Sequence, residues 1–280
     1  MKFDSNRAWL DAMAAVRANR QVLVAVAGVL FLLPALLSTV FLTEAQTQLM
    51  AALGKPEEVE RLFMENAGLF LGFGIGGLLI QGVGYLAVMA LLNDRVRPTV
   101  GEAIVIALRA LPTLVGVMLV TFFGLTMLSG LAGLVIGGLI ALVAGTGAAT
   151  VVTTIVLVGA MLYLSIKLSL VMPVVVNEGT GNPIAAMTRS WRLTRHNSLR
   201  LLGFFVLLMI GYVAIAFMAT LALIGPVALL AGQGQALTLF TGVVSGAISA
   251  VSSVILIAVL AYIHRQLAGP SAEAIVQTFE

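Results

Sequence analysis

Apolar residues do not alternate with polar ones along this chain; they come in long unbroken runs, each matching the ~20 residues a helix needs to cross a ~30 Å hydrocarbon core. The first run covers about 22–42 and the second about 68–92, the latter bounded by Glu65 and by Asn93-Asp94. From Leu111 to Val176 there are 66 residues with a single charge, Lys167. That is too much for one span, and Gly130, Gly133, Gly137-Gly138 and Gly145-Thr146-Gly147 interrupt it. The pattern predicts span three over about 111–134 and span four over about 149–176, joined by the Gly/Thr-rich stretch. A re-entrant segment or a separate span at 130–147 is the alternative. Span five follows at about 201–224, ended by Gly225-Pro226, and span six at about 237–263 after a turn at Gly232-Gln233-Gly234-Gln235. The short alternating segments of a transmembrane barrel are absent. The expected fold is therefore an all-α polytopic membrane protein with six transmembrane helices, forming a single integral membrane domain over 1–280.

Composition agrees with the pattern. Of the 280 residues, 60% are hydrophobic and 10% charged, with a mean hydropathy of +1.11, where soluble domains carry nearer a quarter of charged residues. The lack of cysteine excludes disulfides and thiolate chemistry. The first run is too long for a signal-peptide core and no clean cleavage pattern follows, so it reads as retained.

A sequence pI near 9.6 invites thought of nucleic acid, but the formal net charge is only +3 and the placement of charge points to lipid head groups. With six spans, one side receives Lys2, Arg7, Arg17, Arg20, Arg95, Arg97, Arg109, Arg189, Arg192, Arg195, Arg200 and Arg265. The other side has Lys55 and Arg61 against Glu44, Glu57, Glu58, Glu60 and Glu65. Because cytoplasmic segments carry the excess of Lys and Arg, both termini are expected on the cytoplasmic side of a bacterial inner membrane. A seventh span in 111–176 would put the arginines of 189–200 outside.

The same kind of segment, a polar or Pro-marked start leading into an Arg-bearing amphipathic stretch, precedes spans one, three and five. The first begins at Ser5 and runs to Arg17. The second opens with Thr99-Val-Gly-Glu102, a capping box, and leads to Arg109 and Pro112. The third opens with Asn182 as N-cap and Pro183 at the first helical position. This predicts three units of interfacial helix plus two spans: repeat 1 about 5–92, repeat 2 about 99–176, repeat 3 about 182–263, and a short tail 264–280. On the third helix, Ile184, Met187 and Trp191 share a face toward the acyl boundary, with Arg189, Arg192 and His196 on the opposing arc. Trp9 and Trp191, the two tryptophans, both belong to these segments. Alternatively each segment simply extends the span that follows it.

Groups for chemistry at depth are few. The spans as drawn hold no Asp or Glu, which disfavours an aspartyl protease, a carboxylate-ligated metal and a proton relay. His196 and His264 are both expected at the cytoplasmic surface, so no metal site, cofactor or catalytic group is assigned. Ser245, Ser249, Ser252 and Ser253 lack a base. Gly72-x-Gly74-x-x-Gly77 fits a dinucleotide fingerprint but sits within a span with no preceding strand. Gly68, Gly72 and Gly76, and Gly242 with Gly246, are expected to pack helices, within the chain or between copies in a homo-oligomer.

Lys167 is the one charge inside a span, about 15 Å from its cytoplasmic end. It reads either as a snorkelled ammonium held by carbonyls near Pro173 or, with Arg189, Arg192 and Trp191, as part of an anionic lipid or phosphate site in which Glu178 orients one of the cations.

The run Tyr163-Leu-Ser-Ile-Lys-Leu-Ser-Leu-Val-Met-Pro-Val-Val-Val-Asn-Glu178, followed by Ala185-Ala-Met-Thr-Arg-Ser-Trp-Arg-Leu-Thr194, resembles the membrane domain of glycerophosphoryl diester phosphodiesterases and the related YciC-like inner-membrane proteins. Lys167, Pro173, Glu178, Arg189, Ser190, Trp191, Leu193 and Thr194 carry the resemblance, and Tyr262-Ile-His-Arg-Gln-Leu267 is similar to the family's closing segment. In fused members the resemblance assigns catalysis to a separate soluble barrel, of which this chain has no counterpart. Three readings stand: a non-enzymatic scaffold or membrane-homeostasis protein binding membrane phospholipids, a transporter or lipid-translocating protein, and a membrane subunit recruiting a soluble phosphodiesterase-type enzyme.

Overall fold

The computed structural model describes residues 2–93, 97–232 and 234–269. Asp94, Arg95, Gln233 of the expected turn, and the tail from Pro270 onward lie outside the described residues. Among the described residues, five stretches are long and apolar enough to cross a membrane: Arg20–Ala51, Ala67–Leu91, Val100–Asn177, Ser198–Leu230 and Gln235–Ala268. The third is 78 residues long and folds back on itself. At Gly145 the backbone adopts φ +82°, and a Cβ on Gly137 would lie 3.3 Å from Oγ1 of Thr153. In a straight helix those two residues would be ~24 Å apart. The stretch is an antiparallel hairpin with Gly145 at its tip.

In chain order the helices are α1 (Ser5–Ala18), α2 (Arg20–Ala51), α3 (Pro56–Glu65), α4 (Ala67–Leu91), the hairpin legs α5 (100–144) and α6 (146–168), α7 (Val171–Asn177), α8 (Pro183–Thr194), α9 (198–231) and α10 (Gln235–Ala268). Their starts follow the chemistry of their caps. Asp4 accepts from the Arg7 amide, Thr99 and Glu102 complete both halves of the capping box, and the Asn182 side chain accepts from the amides of Ile184 and Ala185.

Several expected boundaries move. Helix α9 does not end at Gly225-Pro226 but continues to Ala231, and α2 runs past Pro34 to Ala51. In both, a π turn directly precedes the proline, at Thr220–Ile224 and Gly28–Leu32, and its wider backbone makes room for the ring and the missing amide bond. A third π turn at Gly133–Gly137 carries α5 through the glycine cluster expected to be a connection, so 130–144 is helix. The second amphipathic segment is not a separate helix: Pro112 sits inside a continuous α5, which makes that segment an extension of the leg. The expected span four is broken at Ser169-Leu170.

One end of the bundle is tightly packed. Leu86, Ala87, Val88 and Met89 of α4, Ala103 and Ala107 of α5, Val174 of α7 and Ile257 to Val259 of α10 are buried. The face Ala8, Ala12, Ala15 seals α1 onto α10. Toward the other end the helices splay, and Leu142, Val143, Leu229 and Leu230 are exposed.

The glycines divide accordingly. A Cβ on Gly242 would meet Thr39 at 2.8 Å and one on Gly246 would meet Leu32 at 2.9 Å, so α10 approaches α2 closely at that pair. A Cβ on Gly68, Gly72 or Gly76 would meet nothing within 4 Å among the described residues. The close approach of α4 to α2 is made by Gly84, where a Cβ would lie 2.6 Å from the Phe31 ring, itself packed on Tyr85. Gly84→Ala should therefore lower the melting temperature in detergent, at an overpacking cost of about 1–3 kcal/mol. Gly72→Ala should leave it within a degree or two of the parent. Equal melting of both variants would contradict this packing.

Candidate functional site

At the tightly packed end, four connections converge. Arg265 Nη2 donates to the Leu92 carbonyl at 3.1 Å, and Asn93 donates to the Asn177 side-chain oxygen at 3.3 Å. The Phe3 amide donates to the Asn197 side-chain oxygen at 2.9 Å, and Gln266 exchanges hydrogen bonds with the Asp4 backbone. Here α1 and the ends of α4, α7, α8 and α10 meet.

The centre of this region is the break between α6 and α7. Pro173 has no amide to give the Ser169 carbonyl, and its ring crowds that turn, so the helix stops at Leu168 and restarts at Val171. The interruption frees the Lys167 carbonyl and the Leu170 amide in a buried place, where unpaired backbone groups are costly. Ser190 of α8 answers both: its hydroxyl donates to Lys167 O at 2.7 Å and accepts from Leu170 N at 3.2 Å. Ala186, Ser190 and Thr194, four residues apart and fully buried, form the small face on which α8 lies against this break.

That seat aims the neighbouring residues. The Trp191 and Tyr163 ring centroids lie 5.4 and 5.3 Å from Lys167 Nζ, and the two rings meet edge to face. Lys167 is buried, at 3% exposure, and donates to Ser198 Oγ at 2.8 Å. The ammonium is thus held by a hydroxyl and two π faces, each attractive to a cation.

Glu178 forms a second cluster. Its carboxylate takes Arg189 Nε at 3.0 and 3.1 Å and His264 Nε2 at 2.9 Å, tying α7, α8 and α10. Burial pushes the Glu178 carboxyl up, but the hydrogen bonds and charge of Arg189 and His264 outweigh it and hold the carboxyl below its ordinary value.

Residues 142–274 match the membrane domain of glycerophosphoryl diester phosphodiesterase. This is the family that the run from Tyr163 to Thr194 resembles, and the match covers just under half of the chain. No curated protein and no solved structure matches the chain. The matched segment starts near the hairpin tip and includes Lys167, Pro173, Glu178, Ser190, Trp191 and His264, so both clusters lie within it.

Of the site residues expected from the sequence, Lys167 and Trp191 come together, and so do Glu178 and Arg189. The two pairs form separate clusters. Arg192 is exposed and joins neither. His264 is not a surface histidine: at 5% exposure it is buried beneath Glu178, because α10 extends its packed face to the end of the helix. Ser190, Ser198, Tyr163 and Arg195 had no assigned role. The small-residue spacing Ala186, Ser190, Thr194 was the available sign of a buried face on α8; the pairing of Glu178 with His264, 86 residues apart, left none.

Two outcomes follow. Ser190→Ala leaves the Lys167 carbonyl and the Leu170 amide unpaired and should cost about 1–3 kcal/mol, read as a lowered melting temperature in detergent; no change would mean that the break is satisfied otherwise. Because the folded carboxyl of Glu178 lies below its unfolded value, its contribution is complete above the unfolded value of about 4.3 and is lost as pH falls through the folded one. The parent should therefore lose melting temperature on acidification below about pH 4 more steeply than Glu178→Gln. Parallel curves for the two proteins would remove this role.

Proposed function

We propose that this is a non-enzymatic integral membrane protein of six crossings, with the hairpin α5 and α6 supplying two of them, whose arginine-rich cytoplasmic rim binds anionic phospholipid in a scaffold or membrane-homeostasis role. The observation that carries the reading is the placement of its cations. Arg17 and Arg20 flank the junction of α1 and α2, Arg97 and Arg109 the start of α5, and Arg192, Arg195 and Arg200 the junction of α8 and α9. These belong to the tightly packed end, are exposed, and have no carboxylate within ion-pair distance among the described residues. At the opposite end, α3 carries Glu57, Glu58, Glu60 and Glu65. Such sorting supports a cytoplasmic side for the arginine end.

Each such cation near an anionic leaflet contributes about 1 kcal/mol, so the rim as a whole suffices for selective lipid attachment. Ile184 and Leu199, exposed beside the arginines, suit the acyl boundary. A three-unit plan fits the helices: α2, α5 and α9, the first span of each unit, each carry one π turn. The family match favours a second reading, a membrane subunit that recruits a soluble phosphodiester hydrolase.

Native mass spectrometry of detergent-purified protein should show retained anionic phospholipid, and a variant with Arg17, Arg20, Arg192 and Arg200 changed to Gln should retain several-fold less. Equal retention by variant and parent refutes the lipid reading. A soluble hydrolase crosslinked to the parent in membranes, with no lipid difference, would install the second one.

A further inference from the structure

We propose that Lys167 and Arg195 form a discrete site for the phosphate group of a phospholipid, shouldered by the rings of Tyr163 and Trp191. This rests on the lipid-binding reading and names one site within it.

The case begins with a missing charge. A buried ammonium is ordinarily paired with a carboxylate, because an unneutralised charge out of water is costly. Lys167 is almost wholly buried, yet among the described residues no carboxylate lies within 4.0 Å of it. Of its three N–H donors one reaches Ser198 Oγ. Ser198 in turn donates its own proton to the Thr194 carbonyl at 2.8 Å, so it fixes the ammonium and has no proton left for a ligand.

A second cation stands beside the first. Trp191 and Ser198, which both touch Lys167 Nζ, are seven residues apart, and Arg195 lies between them, one helical turn after Trp191 and on the same face. Arg195 is exposed, and among the described residues its side chain makes no hydrogen bond or ion pair. Two cations, one buried and neither neutralised by a carboxylate among the described residues, are stabilised together by an anion that bridges them. A phosphate fits: it accepts from the free ammonium protons and from the planar guanidinium fork at once.

The surroundings choose the source of the phosphate. Tyr163 is 49% and Trp191 38% exposed on the outer surface of the bundle, Leu162 and Leu199 flank them, and aromatic rings of this kind sit at head-group level. A ligand here meets charge at one end and apolar side chains at the other, as the head group and acyl chains of a phospholipid do.

The test uses the full chain in neutral detergent with Trp9→Phe, so that Trp191 is the sole indole. Short-chain phosphatidylglycerol, the matching phosphatidylcholine and inorganic phosphate are titrated while Trp191 emission is followed. Phosphatidylglycerol should give a saturable change, with an apparent Kd raised about tenfold by Arg195→Gln, and similarly by Lys167→Gln. Lys167→Arg, which keeps the charge, should bind within a few-fold of the parent and guards against a folding defect, as does an unchanged melting temperature for Arg195→Gln. No saturable response to any probe, or undiminished phosphatidylglycerol binding by Arg195→Gln, overturns the site. A response to inorganic phosphate as tight as that to phosphatidylglycerol overturns the lipid source and leaves an anion site. Loss of retained lipid in the rim variant beside an unaltered Trp191 titration in Arg195→Gln would sink this site while the rim reading stood.

Discussion

Inside a membrane no water is at hand to rescue a broken helix, so a chain that interrupts a span must supply replacement partners from its own side chains. Here that constraint falls on Ser169-Leu170, where Pro173 forces α6 to stop before α7 begins. The Ser190 hydroxyl, donating to Lys167 O and accepting from Leu170 N, is the replacement. Because Ser190 must reach the break, α8 lies with its Ala186, Ser190 and Thr194 face down, and the orientation of everything else on that helix follows. Trp191 is turned over the Lys167 ammonium, while Arg189 is turned toward Glu178, which carries the connection on to His264 at the end of α10.

The molecule is correspondingly asymmetric along its long axis. At the arginine end, small residues and side-chain hydrogen bonds bring the helices into contact, and the N-terminal segment is tied across to Asn197 and Gln266. At the far end, the hairpin tip and the end of α9 are exposed on nearly all sides, with Leu142, Val143, Leu229 and Leu230 suited to hydrocarbon. Tight packing is concentrated at the end that carries the arginines.

Much of this was legible in the chain. The spans announced themselves by length, and the sorting of arginine from glutamate separated two ends. The capping box at Thr99 and the Asn182-Pro183 start are local chemistry, and formed as local chemistry dictates. Errors came where a rule of thumb about punctuation met a compensating distortion. Pro226 did not end its helix because a π turn ahead of it absorbed the strain, and the glycines at 130–138 did not open a loop because one π turn accommodated them. The stripe Gly68, Gly72, Gly76 and the pair Gly242, Gly246 look alike in sequence, yet only the second faces another helix, since spacing says that a backbone can be approached and not that it is.

The sequence by itself determined a helical membrane protein, its long apolar segments, its charge asymmetry and the identity of Lys167 as the exceptional residue, because hydropathy, capping and charge placement act over a few turns of one helix. Tertiary structure alone decided that Lys167 rests between Tyr163, Trp191 and Ser198, that Glu178 gathers Arg189 and the buried His264, and that these are two clusters and not one. Those contacts join residues from four to 86 positions apart in the chain, and which of them meet depends on how α8 is seated on the break in the hairpin's second leg. No single stretch of sequence contains that geometry.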